Sequence, residues 1–134
     1  MSIDVTVIDV SGNRFSIIED NYYIHMFNNR FNRICGYTIK NNYGLYLGVH
    51  YGDMPYGNED EQKVWSKYAS GKCWIVSVKM SGNAIGIGRT LEQSIENAIH
   101  MIDVLGGIDG IKELANRSIQ IYGIAPGFSK NNRY

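Results

Sequence analysis

The sequence predicts a single α+β domain, residues 1–134: an antiparallel sheet with two or three helices, mainly C-terminal. Three observations point there. Strand-like alternation fills the first half of the chain. Turn residues separate its short apolar runs. The one long amphipathic helix pattern begins only after residue 90. Strands first and helices late favour an antiparallel sheet over alternating parallel units.

Residues 3–10 alternate Ile3, Val5 and Val7 with polar neighbours and predict a first strand. Ser11-Gly12-Asn13 is turn chemistry, and Phe15 to Ile18 returns as a second strand. Tyr22 to Phe27 is aromatic and β-branched and predicts a third, with Asn28 to Asn32 as a polar loop. Ile34–Ile39 and Leu45–Tyr51 then flank Asn41-Asn42-Tyr43-Gly44, residues that tolerate tight-turn backbone, and predict a hairpin. Leu45, Leu47, Val49 and Tyr51 share one face of the returning strand; Tyr46, Gly48 and His50 share the other, expected to be solvated. Gly52 to Asn58 reads as loop, and Glu59 to Ala69 as a short helix with acids at its start.

The best-defined unit follows. Cys73 to Met80 alternates as a strand with Trp74, Val76 and Val78 on a core face. Ser81-Gly82-Asn83 turns it, and Ala84 to Gly88 returns. Thr90 is an N-cap, with Gln93 completing a capping box. Leu91, Ile95, Ala98, Ile99, Ile102 and Leu105 fall at helical spacing, with Glu92, Glu96, Asn97, His100 and Asp103 opposite. Gly106-Gly107 stops the helix. Asp109 is expected to cap a short helix through Asn116, Ser118 to Tyr122 to form a last strand, and the tail from Ser129 to be polar and loose.

Composition narrows the function classes. Basic and acidic residues balance at 13 each, which argues against duplex nucleic acid or an anionic membrane as the main partner. No run approaches a membrane-spanning length, and Met1 to Val5 offers no basic, apolar leader, so a cytoplasmic chain is expected. Cys35 and Cys73 form no CxxC pair and are expected to be reduced and packed in strands. His25, His50 and His100 have no metal-ligand spacing, so neither metal nor cofactor is expected. Abundant Ile, Asn and Tyr with two prolines suit an AT-rich coding genome, such as that of a low-GC bacterium or its phage.

The strongest chemical feature is Gly82-Asn83-Ala84-Ile85-Gly86-Ile87-Gly88-Arg89-Thr90, a glycine-rich strand end that runs into a helix N-terminus. Free amides and the helix dipole there suit an anion such as a phosphate, and Arg89 adds a charged fork. Gly86 and Gly88 let a ligand, or another backbone, come close. Two glycines before a capped helix are also common in plain packing. Ten tyrosines, with Trp65 and Trp74, add recognition chemistry; Tyr43, Tyr46, Tyr51 and Tyr56 cluster around the hairpin and the glycine-rich loop. Of these, Tyr46 and Tyr56 are the expected ligand contacts, and Trp74 is expected in the core. Catalytic patterns are sparse: His50 with Asp53 is the one base-and-orienter arrangement, and a strand histidine explains it equally.

Residues 74–103 resemble a local pattern of the HicB-type antitoxins, in which a strand pair ends in a Gly-x-Thr-Leu-Glu run that opens an Ala-rich helix. The matching residues are Trp74-Ile75-Val76-Ser77-Val78, Gly88-Arg89-Thr90-Leu91-Glu92 and Asn97-Ala98. The resemblance implies a hairpin–helix module and toxin neutralisation. Such antitoxins commonly add a DNA-binding segment that has no counterpart here, and the long N-terminal strand region is not theirs.

These features lead to the expectation of a non-catalytic binding protein, a homo-oligomer, holding a small anionic, nucleotide-like ligand through Gly86, Gly88, Arg89, Thr90, Tyr46 and Tyr56. Phage proteins that soak up defence signals are the analogy. The alternatives are an antitoxin- or immunity-like inhibitor of a partner protein, and a small hydrolase using His50 and Asp53.

Overall fold

A computed structural model describes residues 5–10, 12–25, 30–53 and 72–129. The predicted helix over 59–69, Tyr56 and Trp65 lie outside the described residues. Among the described residues six strands come first: β1 (Val5–Val10), β2 (Asn13–His25), β3 (Phe31–Lys40), β4 (Leu47–Asp53), β5 (Lys72–Val78) and β6 (Ala84–Gly88). Two helices follow, α1 (Leu91–Val104) and α2 (Ile108–Tyr122). The strands form one antiparallel sheet in sequence order. The chain is therefore α+β, with an antiparallel sheet and two C-terminal helices.

One face of the sheet carries the main core. Phe15, Ile17, Ile39, Leu47, Val49, Val76, Val78 and Ile85 pack there against Ile95, Ala98 and Ile102 of α1 and Ile111 and Ala115 of α2. α1 lies along β6 and β5 and also reaches β1, so the sheet curls around it. Intimate seating requires Gly86: a Cβ there would run into the Ser94 carbonyl and stand 2.6 Å from the Ala98 amide nitrogen. Asn97 Nδ2 donates to the Ile87 carbonyl at 2.7 Å, so the helix also covers part of the β6 edge.

β2 is one long strand where two were expected, because the polar Glu19-Asp20-Asn21 segment stays paired with Tyr37-Gly36-Cys35. Its buried side chains change phase. Phe15 and Ile17 are buried in its first half, Tyr22 and Ile24 in its second. Odd positions give way to even ones, so the two halves bury opposite faces. β3 starts at Phe31, inside the predicted 28–32 loop, and pairs with β4 only from Tyr37 to Ile39. Beyond that point β2 and β3 continue as a two-stranded ribbon against the sheet's second face. The ribbon's far end is tied down where the His25 amide donates to the Gly82 carbonyl at 3.1 Å. Gly82 has φ +77, and a Cβ there would stand 2.5 Å from the His25 nitrogen.

Three more expectations change. Ser118 to Tyr122 is no strand: it completes α2, whose buried residues Ile111, Ala115, Ser118 and Ile119 keep helical spacing while Ile121 is exposed. Asp109 lies in the first turn of α2, and Gly107 occupies the cap position. Leu105, placed on the apolar face by its spacing, is the C-cap of α1 and exposed, because the backbone turns at Gly106 and Gly107 just beyond it. Among the described residues, no helix is long and apolar enough to cross a membrane.

Candidate functional site

The strand-to-helix turn is built as its sequence requires. Thr90 takes extended backbone, and its Oγ1 accepts from the Gln93 amide at 3.1 Å. Gln93 Oε1 accepts at 3.1 Å from the amide of Arg89, one residue before the cap, and not from the Thr90 amide that the expected capping box would engage. Ser94 bonds back to the Thr90 carbonyl, so Leu91 and Glu92 keep the first-turn amides that point out of the helix. Arg89 and Thr90 are exposed. Gly86 and Gly88 serve the other purpose their size allows. The space above both is filled by α1, through Ser94 and Ala98 at Gly86 and through Gln93 and Ser94 at Gly88. The open side of this turn therefore consists of Arg89, Thr90 and the helix end.

Strand register decides which aromatics stand beside it. Tyr51 is opposite Trp74, and Trp74 is opposite Gly88. The Tyr51 and Trp74 rings meet with centroids 5.4 Å apart and planes at 49°. Tyr51 is 55 % exposed, and Trp74 is half-buried against the main core rather than enclosed in it. Tyr46 stands elsewhere. Its carbonyl accepts from the Lys79 amide, at the opposite end of β5, and its ring packs 5.5 Å from Phe128. Five residues of strand separate Lys79 from Trp74, roughly 16 Å at the usual rise. The structure thus assembles Arg89 and Thr90 with Tyr51 and Trp74, not with Tyr46. Tyr51 belonged to the tyrosine cluster evident in the sequence. Its pairing partner was not legible, because local alternation carries no information on register.

The second face holds a polar pair that the sequence did not suggest. His50 is 4 % exposed, not solvated as expected. The Tyr22 ring covers it from the ribbon: Tyr22 Oη and His50 Nδ1 lie 3.4 Å apart, with the rings edge to face. Gly48 makes the room, since a Cβ there would stand 2.6 Å from Tyr22 Cζ. Burial lowers the His50 pKa to about 4, so the ring is neutral at pH 7. Burial, with the Asp20 charge, pushes the Tyr22 hydroxyl far up. Asp53 does not orient His50: three residues along the strand, it faces the other side and is exposed.

Close by, Lys79 Nζ donates to Asp20 Oδ2 and to Thr38 Oγ1, each at 2.8 Å. Partial burial would raise the Asp20 carboxyl, but the bonds from Lys79 and Thr38 outweigh it and hold it below its ordinary value. Cys73 is sealed beside Ile75 and Ile87. Burial, and then the charge of Asp53, pushes its thiol up to about 11, which makes it a poor nucleophile at neutral pH. Cys35 is on β3 but exposed, contrary to expectation, because its stretch of β3 has left the β4 ladder. Among the described residues, no group of three or more His, Cys, Asp and Glu side chains is placed to hold a metal ion. Compared with protein-family models, with characterised proteins and with solved structures, the chain matches none.

Proposed function

We propose that this chain is a non-catalytic binding protein for a small anionic ligand that carries a flat ring, of the nucleotide type. One observation carries this reading: the register row Tyr51–Trp74–Gly88 sets an accessible aromatic pair next to Arg89 and the capped N-terminus of α1. A base would stack on the ring pair. A phosphate would meet the outward amides, the positive end of the helix dipole and a guanidinium. A sequestering role, like that of phage proteins that soak up defence signals, needs binding of this kind and no chemistry.

Calorimetric titration with mono-, di- and cyclic nucleotides is the test. Arg89→Ala should weaken a bound nucleotide about tenfold or more by removing a charge-assisted bond. Tyr51→Ala should do the same by removing a stacking surface. Binding by no nucleotide, or an affinity indifferent to both substitutions, would overturn the reading.

A second reading, an inhibitor of a partner protein as the antitoxin resemblance implies, is favoured by β1. It is the edge strand of the sheet, with Val7 51 % exposed, and suits strand addition by another chain. Co-purification of a stoichiometric partner protein would favour it over the first.

A further inference from the structure

The ribbon formed by residues 20–25 of β2 and 31–36 of β3 is held to the rest of the fold differently from every other strand pair. The β2–β3 ladder runs from Ser16–Lys40 to His25–Phe31, but β3 meets β4 only at Tyr37–Ile39. The ribbon is therefore fixed by side-chain and end contacts instead of a continuous ladder, among them the buried Ile24 and the His25 ring, 4.7 Å from that of Tyr122 on α2. Tyr22 lies on Gly48 and against Gly36 and shares a hydrogen bond with His50. Lys79 clasps Asp20 and Thr38. The His25 amide bonds to Gly82. At the ribbon's root, where the burial of β2 changes phase, Glu19, Asp20, Asn21 and Gly36 line an open notch.

We propose that this ribbon is an acid-released flap, hinged at residues 19–21, which lifts from the second face when His50 gains a proton and exposes the Gly48–His50 strip of β4. The surroundings of His50 explain why a proton would do this. From β2 it faces the Tyr22 hydroxyl and, one pleat on, Asp20, whose charge is already engaged by Lys79. Lys79 itself stands 5.9 Å from the Tyr22 ring centre. From β3 it faces Gly36; from β5, Ile75 directly across and Cys73 on the diagonal. Among the described residues, none of these elements sets an unengaged carboxylate against the imidazole. A buried imidazolium there has no counter-charge and is relieved by exposure to water. The low His50 pKa agrees with that geometry. Stronger acid also protonates Asp20 and undoes the clasp, so both contacts fail in the same direction.

Amide hydrogen exchange read by mass spectrometry, corrected for the intrinsic effect of pH, tests this. Peptides over 19–25 and 31–36 should exchange as a unit, ahead of those over 74–78 and 91–104. The ribbon's open population should grow roughly fortyfold between pH 6.5 and 4.5, the factor expected when a pKa near 4 in the closed state becomes 6.5 in the open one. His50→Leu should shrink that step sharply, leaving the smaller part due to His25, whose pKa burial also lowers. Asp20→Asn should speed ribbon exchange at every pH and keep the step. Ribbon and α1 exchanging at one common rate, or a pH step undiminished by His50→Leu, would overturn the proposal. Should His50→Leu not fold, the wild-type imidazole titration by NMR decides. Proton uptake that tracks ribbon exchange supports the flap, and a ribbon that opens while His50 stays neutral overturns it.

Discussion

The hydroxyl of Tyr22 and Nδ1 of His50 lie 3.4 Å apart, both residues buried, although 28 residues separate them in the chain. The pair joins the second half of β2 to β4 and makes folding sensitive to acid. The His50 pKa falls from 6.5 in the unfolded chain to about 4 in the fold. Below pH 6.5 the unfolded state therefore binds the extra proton, and stability declines with falling pH until both states are protonated near pH 4. Between pH 7 and pH 5 this should cost about 2 kcal/mol. Urea melts at the two values measure it, and His50→Leu should reduce the difference, leaving the part due to His25, whose pKa burial also lowers. The depressed Asp20 carboxyl acts later: its contribution is present above the unfolded value of 3.8 and is lost as pH falls below it.

Ile95 is 3 % exposed in the main core, and His100 is exposed on the far side of the same helix. Ile95→Ala should cost on the order of 2 to 4 kcal/mol through the cavity it leaves. Ile99→Ala should cost less, because Ile99 is half-buried. His100→Ala should cost little. Equal losses for Ile95→Ala and His100→Ala in denaturant melts would contradict the observed helix phase.

Gly86→Ala should be among the most damaging small substitutions. Its methyl group would meet the backbone of Ser94 and Ala98, which cannot turn aside as a flexible side chain can. Overpacking of this kind costs roughly 1 to 3 kcal/mol or more. Thermal melts should show the loss whether or not a nucleotide is present, because the glycine serves helix seating.

Thr90→Ala removes the acceptor for the Gln93 amide and should lower stability by about 1 kcal/mol. Arg89→Ala, at an exposed residue, should leave the melting temperature unchanged and act on ligand affinity alone. Parallel melts and titrations separate the two effects.

β1 closes one side of the sheet with an edge, and Val7 on it is 51 % exposed. Such edges invite pairing with another chain. A dimer with a two-fold axis, or a larger closed oligomer, is the expected outcome in light scattering at micromolar concentration. Val7→Lys should shift it towards monomer. A monomer mass for the wild type across that range would exclude the assembly.

The hairpin–helix from residue 72 to 105 was legible in the sequence because everything that specifies it is local. Alternation marks β5, Gly82 the turn, Thr90 and Gln93 the cap, a 3.6-residue period α1, and Gly106-Gly107 the stop. The α+β class followed from the same local patterns. Ser118 to Tyr122 shows their limit. A short alternating β-branched run fits strand or helix equally, and packing of Ile111, Ala115 and Ile119 on one face selected helix.

Which side chains stand together at the candidate sites depends on tertiary structure. No local pattern states that Tyr51 pairs with Trp74 opposite Gly88, or that Tyr46 lies at the other end of β5, because register depends on which strands meet and where. No local pattern buries His50 either. Its face of β4 alternates as a solvated strand would, and among the described residues the return of the β2–β3 ribbon, with Gly36 against His50 and Tyr22 on Gly48, covers it. Periodicity in the sequence therefore determined the elements and their order. Contacts between residues far apart in the chain decided which faces were sealed from water and which side chains meet there.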